Sequence, residues 1–264
     1  MQIGLIGFGA IGREVCARLQ ADPRFEITVL TRSPVSDTPS GVVAATSFDD
    51  LLVRAPDLIV ECAGHEAVQN YGSATLSAGI PLLVASVGAL ADAGLEAALF
   101  ASAQSAGVRL ILPSGAIGGL DVLRALASEG ELTLHYEGIK PPTAWKGSPA
   151  QDLINLDALE TATTFFDSTG RDTALRFPKN ANVVAALALA GGGFDRMRAC
   201  LIADPAASAN THRYRVMSEA CTYEMQIQNA PSPGNPRTSL TTVLSIVENI
   251  RAFAAQSTCD QTKA

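Results

Sequence analysis

An apolar run, Gln2-Ile3-Gly4-Leu5-Ile6, leads without a break into Gly7-Phe8-Gly9-Ala10-Ile11-Gly12. Apolar residues then recur at helical spacing, at Ile11, Val15 and Leu19, until Asp22-Pro23 ends the pattern. In a chain with 22 glycines, the spacing Gly-x-Gly-x-x-Gly says little by itself. Set between a strand and a helix it constrains the fold sharply, because each glycine then has a separate task. Gly7 allows the tight turn, Gly9 lets backbone N–H groups approach a pyrophosphate, and Gly12 lets the helix pack closely on the strand. The helix N-terminus adds partial positive charge for the phosphates. Gly7, Gly9, Ala10, Ile11 and Gly12 are therefore read as a dinucleotide cradle.

The alternation that begins there continues. Strand-like runs are expected at 25–30, 42–44, 57–62, 81–86 and 108–112. Helical patterns fall between them at 65–77 and 91–105, with a further helix start at Ser47, which is placed to cap it. Six strands alternating with helices predict a doubly wound parallel Rossmann sheet of the α/β class. After residue 113 the pattern changes. Strands are expected at 131–137, 197–202, 213–217 and 222–228, with a helix at 182–190, which makes a second, smaller α+β domain. A last helix from 239 to about 255 carries Leu240, Val243, Leu244, Val247, Ile250 and Ala254 on one face and is expected to return to the first domain. The expected division is 1–113 with 238–264 as the dinucleotide-binding domain and 114–237 as the substrate-binding domain.

Bulk properties narrow the function classes. Of 264 residues, 47% are apolar and 17% charged, which excludes a disordered chain. The net charge of −7 argues against a nucleic-acid partner. Five cysteines without any Cys-x-x-Cys spacing, beside three histidines, predict neither a metal site nor a disulfide framework and fit a reducing cytoplasm. The N-terminus lacks a basic leader, and no apolar stretch of about 20 residues is present, so no membrane association is expected.

The choice of dinucleotide turns on the end of the second strand. Sites for NAD usually place a carboxylate there to bind the ribose 2′-hydroxyl. Here the sequence reads Leu30-Thr31-Arg32-Ser33. A cation flanked by hydroxyls suits a 2′-phosphate, so Arg32 predicts NADP, with NAD also used.

Across nearly its whole length the chain resembles the L-aspartate dehydrogenase family. The resemblance is carried by Gly7–Gly12, Glu61–Val68, Ala85–Leu90, Pro113–Asp121, Lys140–Gly147, Phe177–Val183, Ala203–Pro205 with Asn210–His212, and Asn235–Ser239. It implies reversible oxidative deamination of L-aspartate to oxaloacetate and ammonia through iminosuccinate, an intermediate that also feeds NAD biosynthesis, and it implies a homodimer. It further implies that His212 is the catalytic residue and that Ala116 and Asn182 contact the cofactor. One departure stands beside the histidine, where Arg213 replaces the family's frequent glutamate.

The chemistry agrees with such a role. An ammonium cannot push electrons towards an imine, so the amine must lose a proton, and histidine titrates in the right range. His212 is expected in a loop just before a strand, with Asp204 as its orienting carboxylate. His135 is read as structural and His65 as a cap or cofactor-loop residue. Two substrate carboxylates call for cations, and Lys140 and Lys179 are the candidates, aided by N–H groups where Asn180 and Asn182 open a helix. Ser86 and Ser114, at strand ends, are candidates for the nicotinamide half. Two other readings compete on fold alone: a reductase of a keto or semialdehyde substrate, and a dinucleotide sensor without turnover.

Overall fold

The computed structural model describes residues 1–32, 39–178, 180–232 and 235–261. Strands β1 (Gln2–Ile6), β2 (Glu26–Leu30), β3 (Val42–Ala45), β4 (Leu58–Glu61), β5 (Leu82–Val84) and β6 (Leu110–Ile111) form one parallel sheet. Its order, β3-β2-β1-β4-β5-β6, reverses direction between β1 and β4, and ligands of such sheets bind beyond the strand ends at that point. The central strands read as unbroken aliphatic runs because both faces are covered. Val29, Leu58, Ile59, Val60 and Leu83 are fully buried.

The crossover helices are α1 (Ala10–Leu19), α2 (Phe48–Val53), α3 (His65–Ser77) and α4 (Ala93–Ala106). Ser47 caps α2 as its position in the sequence predicts, its Oγ accepting from the Asp50 N–H at 3.1 Å. The final helix, Leu240–Gln261, joins the core of this sheet. Val243, Ile246, Val247, Ile250, Phe253 and Ala254 are buried in one cluster with Val15, Cys16 and Leu19 of α1, each fully buried aliphatic contributing roughly 1.5–3 kcal/mol. The buried face is turned slightly from the expected one, for Ile246 and Phe253 point in while Leu244 is exposed.

A second, mixed sheet has the order β11-β10-β7-β9-β8. Its strands are β7 (Leu132–Lys140), β8 (Thr163–Thr169), β9 (Met197–Ala203), β10 (Thr211–Ser218) and β11 (Thr222–Gln228). Along β7, Leu134, Tyr136, Gly138 and Lys140 share the buried face with His212, Tyr214 and Val216 of β10. The helix Ala181–Ala190 is buried almost all round, which explains its unbroken Ala/Val/Leu composition. Two of the elements beyond the sequence expectation stand at the sheet's edge or next to it. β8, an edge strand written Thr-Thr-Phe-Phe-Asp-Ser-Thr, and the helix Gly170–Arg176 carry too few buried positions to show a period.

The chain forms two compact units. One comprises Met1–Ala89, Ala93–Gly115 and the segment from Pro231 on; the other comprises Leu90–Asp92 and Ala116–Ala230. Among the described residues, no helix is long and apolar enough to cross a membrane.

Candidate active site

In the first unit, the glycine loop is shaped by contacts that tolerate no side chain. Gly7 has φ +96°, and a Cβ there would lie 2.7 Å from that of Ala63. A Cβ on Gly12 would overlap the carbonyl oxygen of Gly7. Gly9 differs, because a Cβ there would meet nothing within 4 Å. Closeness explains the outer two glycines, whereas at Gly9 the backbone borders open space. Gly9 is also the N-cap of α1 and supplies no side-chain cap, so the first N–H groups of the helix, at Ala10 and Ile11, lack intrahelical partners.

This loop borders a cleft of about 500 Å³ between the ends of β1, β2 and β4, lined by Gly7, Gly9, Thr31, Arg32, Ser47 and Asn70 among others. The Arg32 side chain is 85% exposed, and its guanidinium stands 3.6 Å from the Glu66 carboxylate. Ser33 lies outside the described residues.

A carboxylate that sequence reasoning missed closes the same edge of the sheet. Glu61, the last residue of β4, is 1% exposed. It accepts from the N–H groups of Ala63 (2.6 Å), Gly64 (2.7 Å) and Ser86 (3.0 Å), and from the Ser86 hydroxyl (3.0 Å). Burial pushes its pKa up, while these four donors hold it down. Its signal in the sequence is a lone acid ending a buried strand. Ser86 is thus tied to Glu61, and Ser114 pairs with Ser245 at 3.0 Å. His65 opens α3, and partial burial lowers its pKa.

In the second unit, strand register assembles a buried polar cluster. Gly138 of β7 pairs with His212 of β10, which sets Tyr136 and Lys140 on either side of that position. His212 is 7% exposed, and its Nδ1 lies 2.8 Å from the Tyr136 hydroxyl. Lys140 Nζ donates to Asn180 Oδ1 at 2.6 Å and sits 4.7 Å from the centre of the Trp145 ring. Burial, with the Lys140 charge as a second cause, holds the His212 pKa down to about 4. The imidazole is therefore neutral at physiological pH.

The structure corrects two expectations here. His212 is inside β10 rather than in a loop, because Thr211 and His212 already pair with Ile139 and Gly138 on one side and with Gln228 and Ile227 on the other. Its hydrogen-bond partner is Tyr136 rather than Asp204, whose carboxylate accepts from Ala206 N–H in its own turn. Arg213 alternates to the opposite face of the strand and pairs with Glu137 at 2.6 Å, away from the imidazole. His135 is also on that opposite face, 3.3 Å from Cys200 Sγ. Of the remaining candidates, Ala116 is buried, and its carbonyl accepts from Asn229 Nδ2 at 3.1 Å. Asn182 is exposed in the first turn of the helix Ala181–Ala190. Lys179 lies outside the described residues.

Residues 121–253 match the family model described as aspartate dehydrogenase, C-terminal, and residues 7–113 match the NAD binding domain of homoserine dehydrogenase. The chain belongs to the aspartate dehydrogenase family. It is 43% identical to an L-aspartate dehydrogenase of Ruegeria pomeroyi over 97% of this chain and 93% of that one. It is 41% identical to that of Cupriavidus necator, over 94% and 95% of the two chains. Among solved structures, the aspartate dehydrogenase of Thermotoga maritima superposes with a TM-score of 0.77 at 30% identity, covering 96% of each chain. As a member of the aspartate dehydrogenase family the chain is an oxidoreductase that uses a nicotinamide dinucleotide, and residues 7–113 match an NAD binding domain.

Proposed function

We propose that the protein oxidises L-aspartate reversibly to oxaloacetate and ammonia through iminosuccinate, using NADP or NAD. The observation that carries the reading is the buried cluster of Lys140, Asn180, Tyr136 and His212, a cation and a neutral imidazole held together in a chain of this family. A dinucleotide fits the residues present. The space beside Gly9 and the free N–H groups opening α1 accommodate a pyrophosphate, with Gly7 and Gly12 keeping the loop in shape. Arg32 and Thr31 are assigned the 2′-phosphate. Ala116 and Asn182 are assigned to the cofactor on the family resemblance. When bound, the nicotinamide supplies the two-electron step at the substrate's Cα.

The chain's own residues do the rest. Lys140, and by the same family motif Lys179, answers the substrate's carboxylates. His212 presents a neutral ring whose Nδ1 is taken by Tyr136, so chemistry reaches the substrate through Nε2. A bound dicarboxylate opposes the Lys140 charge and raises the imidazole pKa from its low resting position. We further assign the protein to the cytoplasm, to the supply of iminosuccinate for pyridine nucleotide biosynthesis, and to a homodimer. Light scattering of the purified protein tests the dimer.

The assay mixes protein, NADPH or NADH, oxaloacetate and ammonium and follows the reduced cofactor. Oxidation that requires ammonium is expected. Ammonium-independent oxidation of a carbonyl compound would replace this reading with a keto or semialdehyde reductase. Binding without turnover would replace it with a dinucleotide sensor.

A further inference from the structure

Neutral imidazole offers Nε2 either as a lone pair or as N–H, and these do opposite things to a substrate. We infer that Lys140, Asn180 and Tyr136 form a one-way chain of donors that fixes neutral His212 as its Nε2–H tautomer. Its consequence for turnover rests on the catalytic reading of His212 above; the tautomer itself does not.

The direction is set at the lysine. An ammonium has donors only, so the Asn180 atom 2.6 Å from Lys140 Nζ must be the amide oxygen. The amide NH2 is thereby turned to the other side. There Gly138 leaves a gap, and a Cβ in it would stand 2.9 Å from the Tyr136 hydroxyl oxygen and 3.0 Å from Asn180 Nδ2. The Asn180 Nδ2 is buried with no hydrogen-bond partner, and the Tyr136 hydroxyl oxygen borders the same gap. A hydroxyl that turns its lone pairs to that amide keeps its one proton to give, and 2.8 Å away is His212 Nδ1. Burial pushes the phenol pKa up, so the proton stays available on Tyr136. Nδ1 therefore accepts, and the proton of the neutral ring is on Nε2. The reverse arrangement would point the Tyr136 O–H at the amide NH2, donor against donor, in a residue with no exposed surface.

His212 consequently meets its substrate as a hydrogen-bond donor. It fits an oxygen, either of a substrate carboxylate or of the oxaloacetate carbonyl in the reductive direction. In this state Nε2 does not take the ammonium proton of aspartate. That ionisation happens in solution, and oxidative kcat/KM then follows the titration of the substrate ammonium.

The test is long-range proton–nitrogen correlation on the 15N-labelled full chain at neutral pH. Only three histidines are present, and His65→Gln and His135→Gln variants assign the signals by difference. The wild type is expected to show His212 with a protonated Nε2 and a bare Nδ1. Asn180→Asp keeps the size of the side chain but makes it accept from both Lys140 and Tyr136. The hydroxyl must then accept from Nδ1–H, and the tautomer is expected to flip. Tyr136→Phe should give mixed tautomers and lower kcat by roughly 10- to 100-fold, with cofactor affinity unchanged. A wild-type ring protonated on Nδ1, or no change of tautomer in Asn180→Asp, would overturn the assignment. An Nε2–H ring in the wild type with an unchanged kcat in Tyr136→Phe upholds the tautomer and removes its consequence for turnover, while the catalytic reading of His212 stands or falls with His212→Ala.

Discussion

The two units solve the problem of holding a polar ligand in different materials. The nucleotide cleft is built from absence: glycines where side chains would collide, and a helix end whose N–H groups are left free. The imidazole cluster is built from presence: Tyr136, Lys140, Asn180 and His212 buried together, Tyr136 hydrogen-bonded to His212 and Lys140 to Asn180. A backbone-made site should fail when carbon is added. A side-chain-made site should fail when polar atoms are removed at constant shape.

The largest effect is expected where a polar group is removed from the cluster. His212→Ala should lower kcat by about 10²- to 10⁴-fold, the range for loss of a positioned proton-transfer or hydrogen-bonding group, while the dissociation constant for NADPH stays within about twofold. Steady-state kinetics with a separate fluorescence titration reads both. Loss of cofactor binding in step with turnover would mean that the cluster is not functionally separate from the glycine cleft.

The glycines come next. Gly12→Ala forces its methyl group against the Gly7 carbonyl, and backbone cannot yield as a side-chain tip does. Overpacking of this kind costs about 1–3 kcal/mol, read as a fall in Tm, and cofactor affinity should drop with it. Gly9→Ala meets nothing in the protein. Its Tm should be unchanged while cofactor affinity falls on the order of tenfold, because the new methyl group occupies ligand space. An equal loss of Tm in the two variants would contradict the distinction between a packing glycine and a ligand-facing one.

This contrast also explains what was legible in the sequence. The first unit is readable because each layer repeats a local rule: buried aliphatic strands, helices ended by turn residues, and a Gly-x-Gly-x-x-Gly spacing set between a strand and a helix. The spacing is local even though the contact that requires Gly7 is with Ala63. In the second unit His212 and Lys140 were found by motif, but Tyr136 was not, since its place beside His212 depends on the register of β7 against β10. Nothing local fixes that register. Reading Tyr136, Gly138 and Lys140 as one face of a strand would have shown two polar residues flanking a gap. Asp204 is near His212 in sequence, yet its carboxylate serves its own turn.

Acid should separate the units by a smaller margin. His212 has an ordinary pKa of 6.5 that the fold lowers to about 4, so between these values the unfolded chain binds a proton that the folded chain refuses. Its contribution to stability is complete above about pH 6.5 and declines as pH falls towards 4, by up to roughly 3 kcal/mol. Urea unfolding at pH 7 and pH 4.5 should show a steeper acid loss in the wild type than in His212→Asn. Parallel losses would show that other groups set the acid sensitivity.

The smallest effect belongs to the one part of the nucleotide site that is made of charge rather than backbone. Arg32 is exposed and only loosely held by Glu66, so its contact with a 2′-phosphate would be screened by solvent. Arg32→Ala should therefore weaken NADPH by only about 3- to 10-fold and leave NADH unchanged. Glu66→Gln sharpens the case. Removing that carboxylate frees the guanidinium and takes a negative charge from beside the phosphate, so NADPH should bind slightly tighter. If Glu66 instead binds the ribose 2′-hydroxyl of NAD, the same substitution weakens NADH. The sign of the two changes, measured by titration at low and at moderate salt, decides whether this edge of the cleft is built for a phosphate or for a hydroxyl.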